Sequence, residues 1–229
     1  MGFSRFGALP QAGIAVRSGT EIATLVRRTY SLVFASVLVT IGGVAFAMTQ
    51  PSIMEAVLNH RWIMLALVFL PLIGANVLRN SFPQNIGMVF LFTFAEGLWI
   101  APFMAAMEAQ SPGVASEAGL LTLTAFGALT AYAFMSRRDF SAWGGFLFTG
   151  LLVLVVTMIM LSFFPVAGGF TWIASIGVLL FSGLLVFDTW RIKKYFGPDD
   201  YVMAAVTIYL DLLNMFMFII SLLGGGKKN

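Results

Sequence analysis

Two aspartates lie within the last two long apolar stretches of this 229-residue chain. Asp188 and Asp211 flank a polar connector, residues 192–201. If the connector is the tip of a helical hairpin centred between Asp199 and Asp200, each aspartate lies 11.5 positions from that centre. Equal path lengths along two antiparallel helices predict that both carboxyl groups reach the same depth and face each other. A carboxylate in hydrocarbon costs ~2.5–3.5 kcal/mol, so such residues usually mark function.

Two facing carboxylates in a low dielectric cannot both ionise cheaply, so the pair tends to share a proton. Protonated once, the pair holds its two helices together. Deprotonated, it repels itself and attracts a hard cation such as Ca²⁺, which prefers oxygen ligands. Asp188 and Asp211 therefore predict a pH-sensitive gate on a cation path and are tentative Ca²⁺ ligands.

Each aspartate also has a simpler structural interpretation. Arg191 follows Asp188 by three residues, which is the spacing of a salt bridge at a helix end. Asp211 has no basic residue within one turn, so its alternative role is a protonated acid that is hydrogen-bonded in the core.

The last apolar segment carries a stripe of polar residues. Thr207, Asp211, Asn214 and Ser221 fall on one helical face, interrupted by Phe218. Such a face must point into protein or water, so this helix is predicted to lie in the centre of a bundle. Asn214 is a candidate for the ion path.

Two further charged residues are candidates for the same path. Glu96 lies about halfway through the third apolar segment, where it is either a third polar station or a neutral acid that bridges helices. Arg79 ends the second segment on the side of the aspartates. Its position alone favours an ordinary arginine whose head lies in the membrane interface.

Composition predicts a single-domain, polytopic all-α membrane protein, because 59% of residues are hydrophobic and 10% are charged. Seven segments are long enough to span a bilayer; they are residues 30–48, 62–78, 85–107, 118–135, 143–163, 170–190 and 202–223. We expect a tail at 1–29, a seven-helix domain at 30–223 and a short tail at 224–229.

Basic residues predict the orientation. With the N-terminus in the cytoplasm, ten of the thirteen lie in cytoplasmic segments. These ten are Arg5, Arg17, Arg27, Arg28, Arg79, Arg137, Arg138, Arg191, Lys193 and Lys194. The side of the C-terminus stays open, since Lys227 and Lys228 would oppose the rule if the last segment crosses fully.

Several classes of protein are excluded or disfavoured. The chain lacks cysteine and has one histidine, His60, so thiol chemistry and two-histidine sites are excluded. The chain has no basic cluster with interleaved aromatics outside its apolar segments, so we expect no nucleic-acid partner. Intramembrane aspartyl proteases place Gly-x-Gly before their second aspartate, whereas Ile208-Tyr209-Leu210 precedes Asp211. A retinal protein is also excluded, because it needs a lysine within a span and none of the seven predicted spans contains one. We therefore expect no enzyme activity and no cofactor.

Three segments resemble motifs of the Bax inhibitor-1 family. Residues 208–216, Ile-Tyr-Leu-Asp-Leu-Leu-Asn-Met-Phe, resemble the family's C-terminal signature of Tyr-Leu-Asp, two apolar residues, Asn and an apolar run. Residues 187–193, Phe-Asp-Thr-Trp-Arg-Ile-Lys, resemble the aspartate motif that ends the sixth helix. Residues 94–97, Phe-Ala-Glu-Gly, followed by Ala101-Pro102, resemble the third-helix motif.

The resemblance implies six helices around a central seventh, in the inner membrane of a bacterium. It implies that Asp188 and Asp211 form a pH-sensing couple that controls a Ca²⁺ leak. Arg79 stands where an arginine of bacterial relatives latches onto that pair. One bacterial relative associates with the membrane-anchored AAA protease FtsH, so a regulator of such a protease, without significant ion conduction, is the alternative function.

Overall fold

The computed structural model describes residues 18–78, 81–164, 166 and 168–225. That part of the chain is helical and contains no strand, which confirms the all-α class. The helices are α1 Gly19–Met48, α2 Pro51–Asn59, α3 Arg61–Val77, α4 Gln84–Gln110, α5 Val114–Met135, α6 Trp143–Phe163, α7 Gly169–Tyr195 and α8 Tyr201–Gly225, with a 3₁₀ turn at Pro198–Asp200.

Six of the described helices are long and apolar enough to cross a membrane: α1, α4, α5, α6, α7 and α8. The predicted second span, residues 62–78, coincides with the 17-residue helix α3, which meets the unpredicted helix α2 at a bend of 104°. Pro51 occupies the first turn of α2, a position that suits proline because its missing N–H would have no partner there. The described residues thus hold six spans, or seven if the bent pair counts as one.

Helix α1 begins at Gly19, well before the predicted start of the first span at residue 30. Ser18 and Glu21 cause this early start by forming a capping box. The Glu21 N–H donates to Ser18 Oγ at 3.3 Å, and the Ser18 N–H donates to Glu21 Oε2 at 3.0 Å. Residues 19–29 of the predicted tail are therefore helical, and residues 1–17 lie outside the described part.

Helix α8 is the central helix of the bundle, as predicted. It packs against α1, α4, α5 and α7. Half of its most apolar 18-residue window is buried, the largest share among the six spans. Helix α3 packs chiefly on α4, and α6 packs chiefly on α7, so these two flank the centre rather than line it.

Helices α1 and α4 cross closely at two glycines. A methyl group on Gly97 would lie 3.0 Å from Gly43 Cα and closer still to the carbonyl oxygen of Thr40. A methyl group on Gly43 would lie 2.5 Å from the carbonyl oxygen of Phe94. Glycine lets the two backbones meet, and small residues serve this purpose at helix crossings in membranes.

The connector between α7 and α8 is shorter than the predicted residues 192–201. It comprises residues 196–200, because α7 continues to Tyr195 and α8 begins at Tyr201. The turn is closed by the Gly197 N–H, which donates to Asp200 Oδ2 at 2.7 Å. We call the end of the bundle that carries this turn the connector side, and the opposite end the far side. The two helices run antiparallel and pack extensively against each other.

Candidate functional site

The structure brings Asp188 of α7 and Asp211 of α8 together, at the depth that equal path lengths from the connector predict. Both are buried, with 6% and 5% of their surfaces exposed. Their carboxyl groups lie within hydrogen-bonding reach of each other. Ionised carboxylates only accept hydrogen bonds, so a direct bond between these two requires a proton on one of them.

Arg191 is the cationic neighbour of the pair. Its Nη2 atom lies 3.3 Å from Asp188 Oδ1, three residues along the same helix. The guanidinium also lies over the rings of Phe196 and Phe187, at 5.5 and 5.9 Å from their centroids. The helix-end salt bridge thus exists alongside the acid pair and does not replace it.

Two oxygens of the pair have unmet hydrogen-bonding capacity. Asp211 Oδ2 is buried and accepts no hydrogen bond from the described residues, and Asp188 Oδ1 has only its ion-pair contact with Arg191, without hydrogen-bond geometry. An ionised carboxylate without donors is costly to bury. A proton shared within the pair, or a cation bound to it, relieves that cost.

Both aspartates line a cleft of about 390 Å³ between α6, α7 and α8, which we call the acid cleft. Its lining residues are Leu151, Leu154, Val155 and Met158 of α6, Phe181, Leu184 and Asp188 of α7, and Thr207, Leu210, Asp211, Asn214 and Phe218 of α8. Asn214 therefore lies beside the pair. Ser221, the last residue of the predicted polar stripe, is not among them, and its hydroxyl donates to the Met217 carbonyl at 2.6 Å.

Tyr30 of α1 is a neighbour of the pair that sequence reasoning missed. Its hydroxyl lies 3.4 Å from Thr189 Oγ1, and it interacts electrostatically with Asp211. A tyrosine at the start of a predicted span resembles an ordinary interface anchor. The contact depends on how α1 packs, and nothing in the sequence near Tyr30 signals it.

Comparison with known proteins identifies the family of the chain. Residues 22–228 match the protein family described as "Inhibitor of apoptosis-promoting Bax1". The chain belongs to the Bax inhibitor-1 family. The match includes both aspartates of the acid cleft and all three segments on which the resemblance depends.

Relatives of this Bax inhibitor-1 family protein come from eukaryotes and bacteria. It is 33% identical to "Bax inhibitor 1" of Schizosaccharomyces pombe over 209 residues, which cover 89% of this chain and 77% of the relative. It is 33% identical to "Protein lifeguard 4" of Mus musculus over 167 residues, covering 72% and 69% of the two chains. An uncharacterised protein of Campylobacter jejuni is 29% identical over 211 residues, covering 89% of each.

The structure separates Glu96 from the acid pair. In this family member Glu96 lies in α4, is not among the residues that line the acid cleft, and interacts electrostatically with Tyr209. The Tyr209 hydroxyl pairs with Thr40 Oγ1 at 2.7 Å. Tyr209 and Asp211 are two residues apart on α8, about 200° around the helix, so they face opposite sides. Glu96 therefore does not contribute to the acid cleft, and its place on an ion path stays a prediction.

The acid cleft has a small set of oxygen donors for a metal ion. The described residues contain no group of three or more His, Cys, Asp and Glu side chains that could hold one. Ca²⁺ usually takes six to eight oxygen ligands. Two carboxyl groups would leave most of the ligand positions of such an ion to water.

One predicted residue of the gate cannot be placed. Arg79 lies outside the described residues of the Bax inhibitor-1 family protein, just after the end of α3 at Val77. Its contact with the acid pair stays a prediction from the resemblance.

Proposed function

We propose that this Bax inhibitor-1 family protein is a passive, pH-sensitive cation leak of the bacterial inner membrane, and that Ca²⁺ is its main ion. The observation that carries the proposal is the buried pair of Asp188 and Asp211 at the wall of the acid cleft. The pair joins the two helices of the central hairpin, so its charge acts on the contact between them.

The charge state of the pair is the proposed gate. With one proton, the two carboxyl groups share a hydrogen bond, and Arg191 balances the remaining charge. Without it, two negative charges lie side by side in a low dielectric, where they repel each other and attract a cation. The charged and titratable neighbours of the pair among the described residues are Arg191 and Tyr30.

The proposal is tested by Ca²⁺ flux into liposomes that contain the purified protein, measured from pH 6 to pH 8. We expect wild-type flux to change across this range, because the pair gains or loses its shared proton. Asp211→Asn keeps the size of the side chain but leaves Asp188 with Arg191 as its ion-pair partner and no second carboxyl group to share a proton with, so its flux should lose the pH-dependent step. A matched control is His60→Gln, because histidine is the usual side chain that changes charge near neutral pH, and this variant should behave as wild type.

The sign of the pH dependence identifies the contact that keeps the leak closed. Flux that rises with pH indicates that the shared proton holds α7 to α8. Flux that falls with pH indicates that an arginine holds the ionised pair, and Arg79→Gln should then abolish the fall. Equal flux from wild type and Asp211→Asn at every pH contradicts the gate. Absence of flux from both contradicts the leak and favours the role as a protease regulator.

A further inference from the structure

The acid cleft contains a second matched pair of side chains, which is aromatic. Phe181 lies seven residues before Asp188, and Phe218 lies seven residues after Asp211. Seven residues are close to two helical turns, so each ring lies on the same face as its aspartate and about 10 Å further from the connector. The aromatic pair is therefore the next level of the same hairpin seam, on its far side.

The two rings pack tightly against each other and against the backbone of α7. Their centroids are 5.8 Å apart, with planes inclined by 28°, and 6% and 8% of the residue surfaces are exposed. Gly177 makes room for the ring of Phe218, because a methyl group there would lie 2.6 Å from it. The position of the Phe218 ring is therefore fixed by its contact with the backbone of α7 at Gly177.

The walls of the cleft at this level are apolar. On the far side of Asp188 and Asn214, the described lining residues are Phe181 and Leu184 of α7, Phe218 of α8, and the four apolar side chains of α6. A cation that leaves the acid pair in this direction meets no oxygen ligand along these walls. Apolar constrictions block ions by excluding the water that an ion must carry.

From these observations we infer that the stacked rings of Phe181 and Phe218 are the hydrophobic barrier of the leak. The inference rests on the proposed function and assigns its two tasks to different residues. The aspartates sense pH and attract the cation, and the aromatic pair blocks the passage of water and ions. Opening requires the two rings to part, which happens when α7 and α8 move relative to each other.

The test is Ca²⁺ flux into liposomes at the pH where wild-type flux is lowest. We expect Phe218→Ala and Phe181→Ala to raise this flux several-fold, because a methyl group leaves the passage open to water. The effect should follow the size of the side chain: Phe218→Leu should give an intermediate flux, and Phe218→Trp a flux at or below the wild-type value. Phe218→Leu also keeps the test informative if the Ala variants do not fold.

Two controls separate a barrier from general loosening of the bundle. Phe92→Ala removes an equally buried ring that packs against Tyr209 and does not line the acid cleft. Its flux should match wild type. Entrapped calcein, which is too large for an ion path, should be retained by vesicles carrying every variant.

The failure of this inference is distinguishable from failure of the proposed function. If wild-type flux depends on pH and on Asp211, but the Phe181 and Phe218 variants conduct as wild type, the barrier is overturned and the gate stands. An equal rise in Phe92→Ala also overturns the barrier. If neither wild type nor any variant conducts, the leak itself is overturned.

Discussion

Arg191 is the residue that biases the charge of the acid pair. Its guanidinium lies 3.3 Å from Asp188 Oδ1 and is 31% exposed, so solvent screens part of its effect. Removing it leaves the ionised pair without its nearest positive charge. Ionisation then becomes harder, and the pH at which the pair loses its proton moves upward.

For Arg191→Gln, we therefore expect the pH-dependent step in Ca²⁺ flux to move to higher pH, whichever sign that step has. The measurement is flux against pH in half-unit intervals. Lys194→Gln is the matched control, because Lys194 lies in the same turn, is exposed and faces Trp190 rather than the acid pair. A step that stays in place in Arg191→Gln, or that moves as far in the control, contradicts this role for the arginine.

The depth of the acid pair was predictable from the sequence because the rise of a helix is constant. Counting from the connector places Asp188 opposite Asp211 without knowledge of any other helix. The neighbours of the pair were not predictable in this way. Tyr30 and Thr189 meet because of the rotation that α1 adopts where it packs against α4 and α8, and nothing in either segment alone determines that rotation.

At the scale of the helices, the crossing of α1 and α4 depends on Gly97. A methyl group at this position meets the backbone of α1, and backbone cannot move aside as a flexible side chain can. We expect Gly97→Ala to destabilise the protein by about 1–3 kcal/mol, the usual cost of overpacking. Thermal unfolding in detergent measures the effect.

Gly87→Ala provides the matched control on the same helix. A methyl group at Gly87 meets no atom within 4 Å, so the substitution should be neutral or slightly stabilising. Equal loss of stability in both variants would show that alanine harms α4 for a reason unrelated to the crossing.

The loop between α5 and α6 shows which titrating groups do not contribute to the proposed gate. The pKa of Asp139 lies below the usual range for aspartate, because its carboxylate accepts a hydrogen bond from the Ser141 N–H at 2.8 Å. A carboxyl group whose pKa is lowered in the folded state contributes stability at pH values above its ordinary pKa. This contribution is lost as the pH falls through the lowered pKa. Asp139 therefore stays ionised from pH 6 to pH 8, and its loop does not contribute to the pH response.

The predicted start of the first span at residue 30 followed apolar length alone and missed a local capping signal. The capping box of Ser18 and Glu21 is visible in the sequence and explains the early start of α1. The 104° bend between α2 and α3 was not predictable, because the polar residues Asn59, His60 and Arg61 mark a break in the sequence but not the angle at that break. Glu96 is a similar case: its position about halfway along the third apolar segment is readable from the sequence, but the direction of its side chain is not.

At the scale of the whole molecule, the length of α8 bears on the side of the membrane to which the C-terminus is exposed. Its 25 residues correspond to about 37 Å at 1.5 Å per residue, more than the ~30 Å of a hydrocarbon core. A continuous helix of this length is long enough to cross the membrane fully. We expect the C-terminus to emerge on the side opposite the connector and the N-terminus.

A reporter fusion tests this topology. Alkaline phosphatase fused after Asn229 should be active, since the enzyme folds outside the cytoplasm, whereas the same reporter fused after Gly197 in the connector should be inactive. Activity in the reverse pattern would invert the proposed orientation. Inactivity of both fusions would mean that α8 does not cross.

Composition was sufficient to predict the membrane class, and the polar stripe was sufficient to predict that α8 lies in the centre. The packing partners of α3 and α6 were not predictable. Both helices are apolar on most faces, and hydropathy does not indicate which neighbour such a helix packs against. The structure places α6 on α7, where it completes the wall of the acid cleft.

The spacing of Asp188 and Arg191 on one helix has a consequence for how the protein is made. The ribosome delivers α7 before α8, so Asp188 reaches the insertion machinery ahead of Asp211. Arg191, the salt-bridge partner of Asp188, lies on the same helix, so the negative charge of Asp188 is paired when α7 reaches the insertion machinery. No basic residue lies within a turn of Asp211. Helix α8 therefore depends on an inserted α7 to accept its acid, which couples correct biogenesis of the last helix to that of its predecessor.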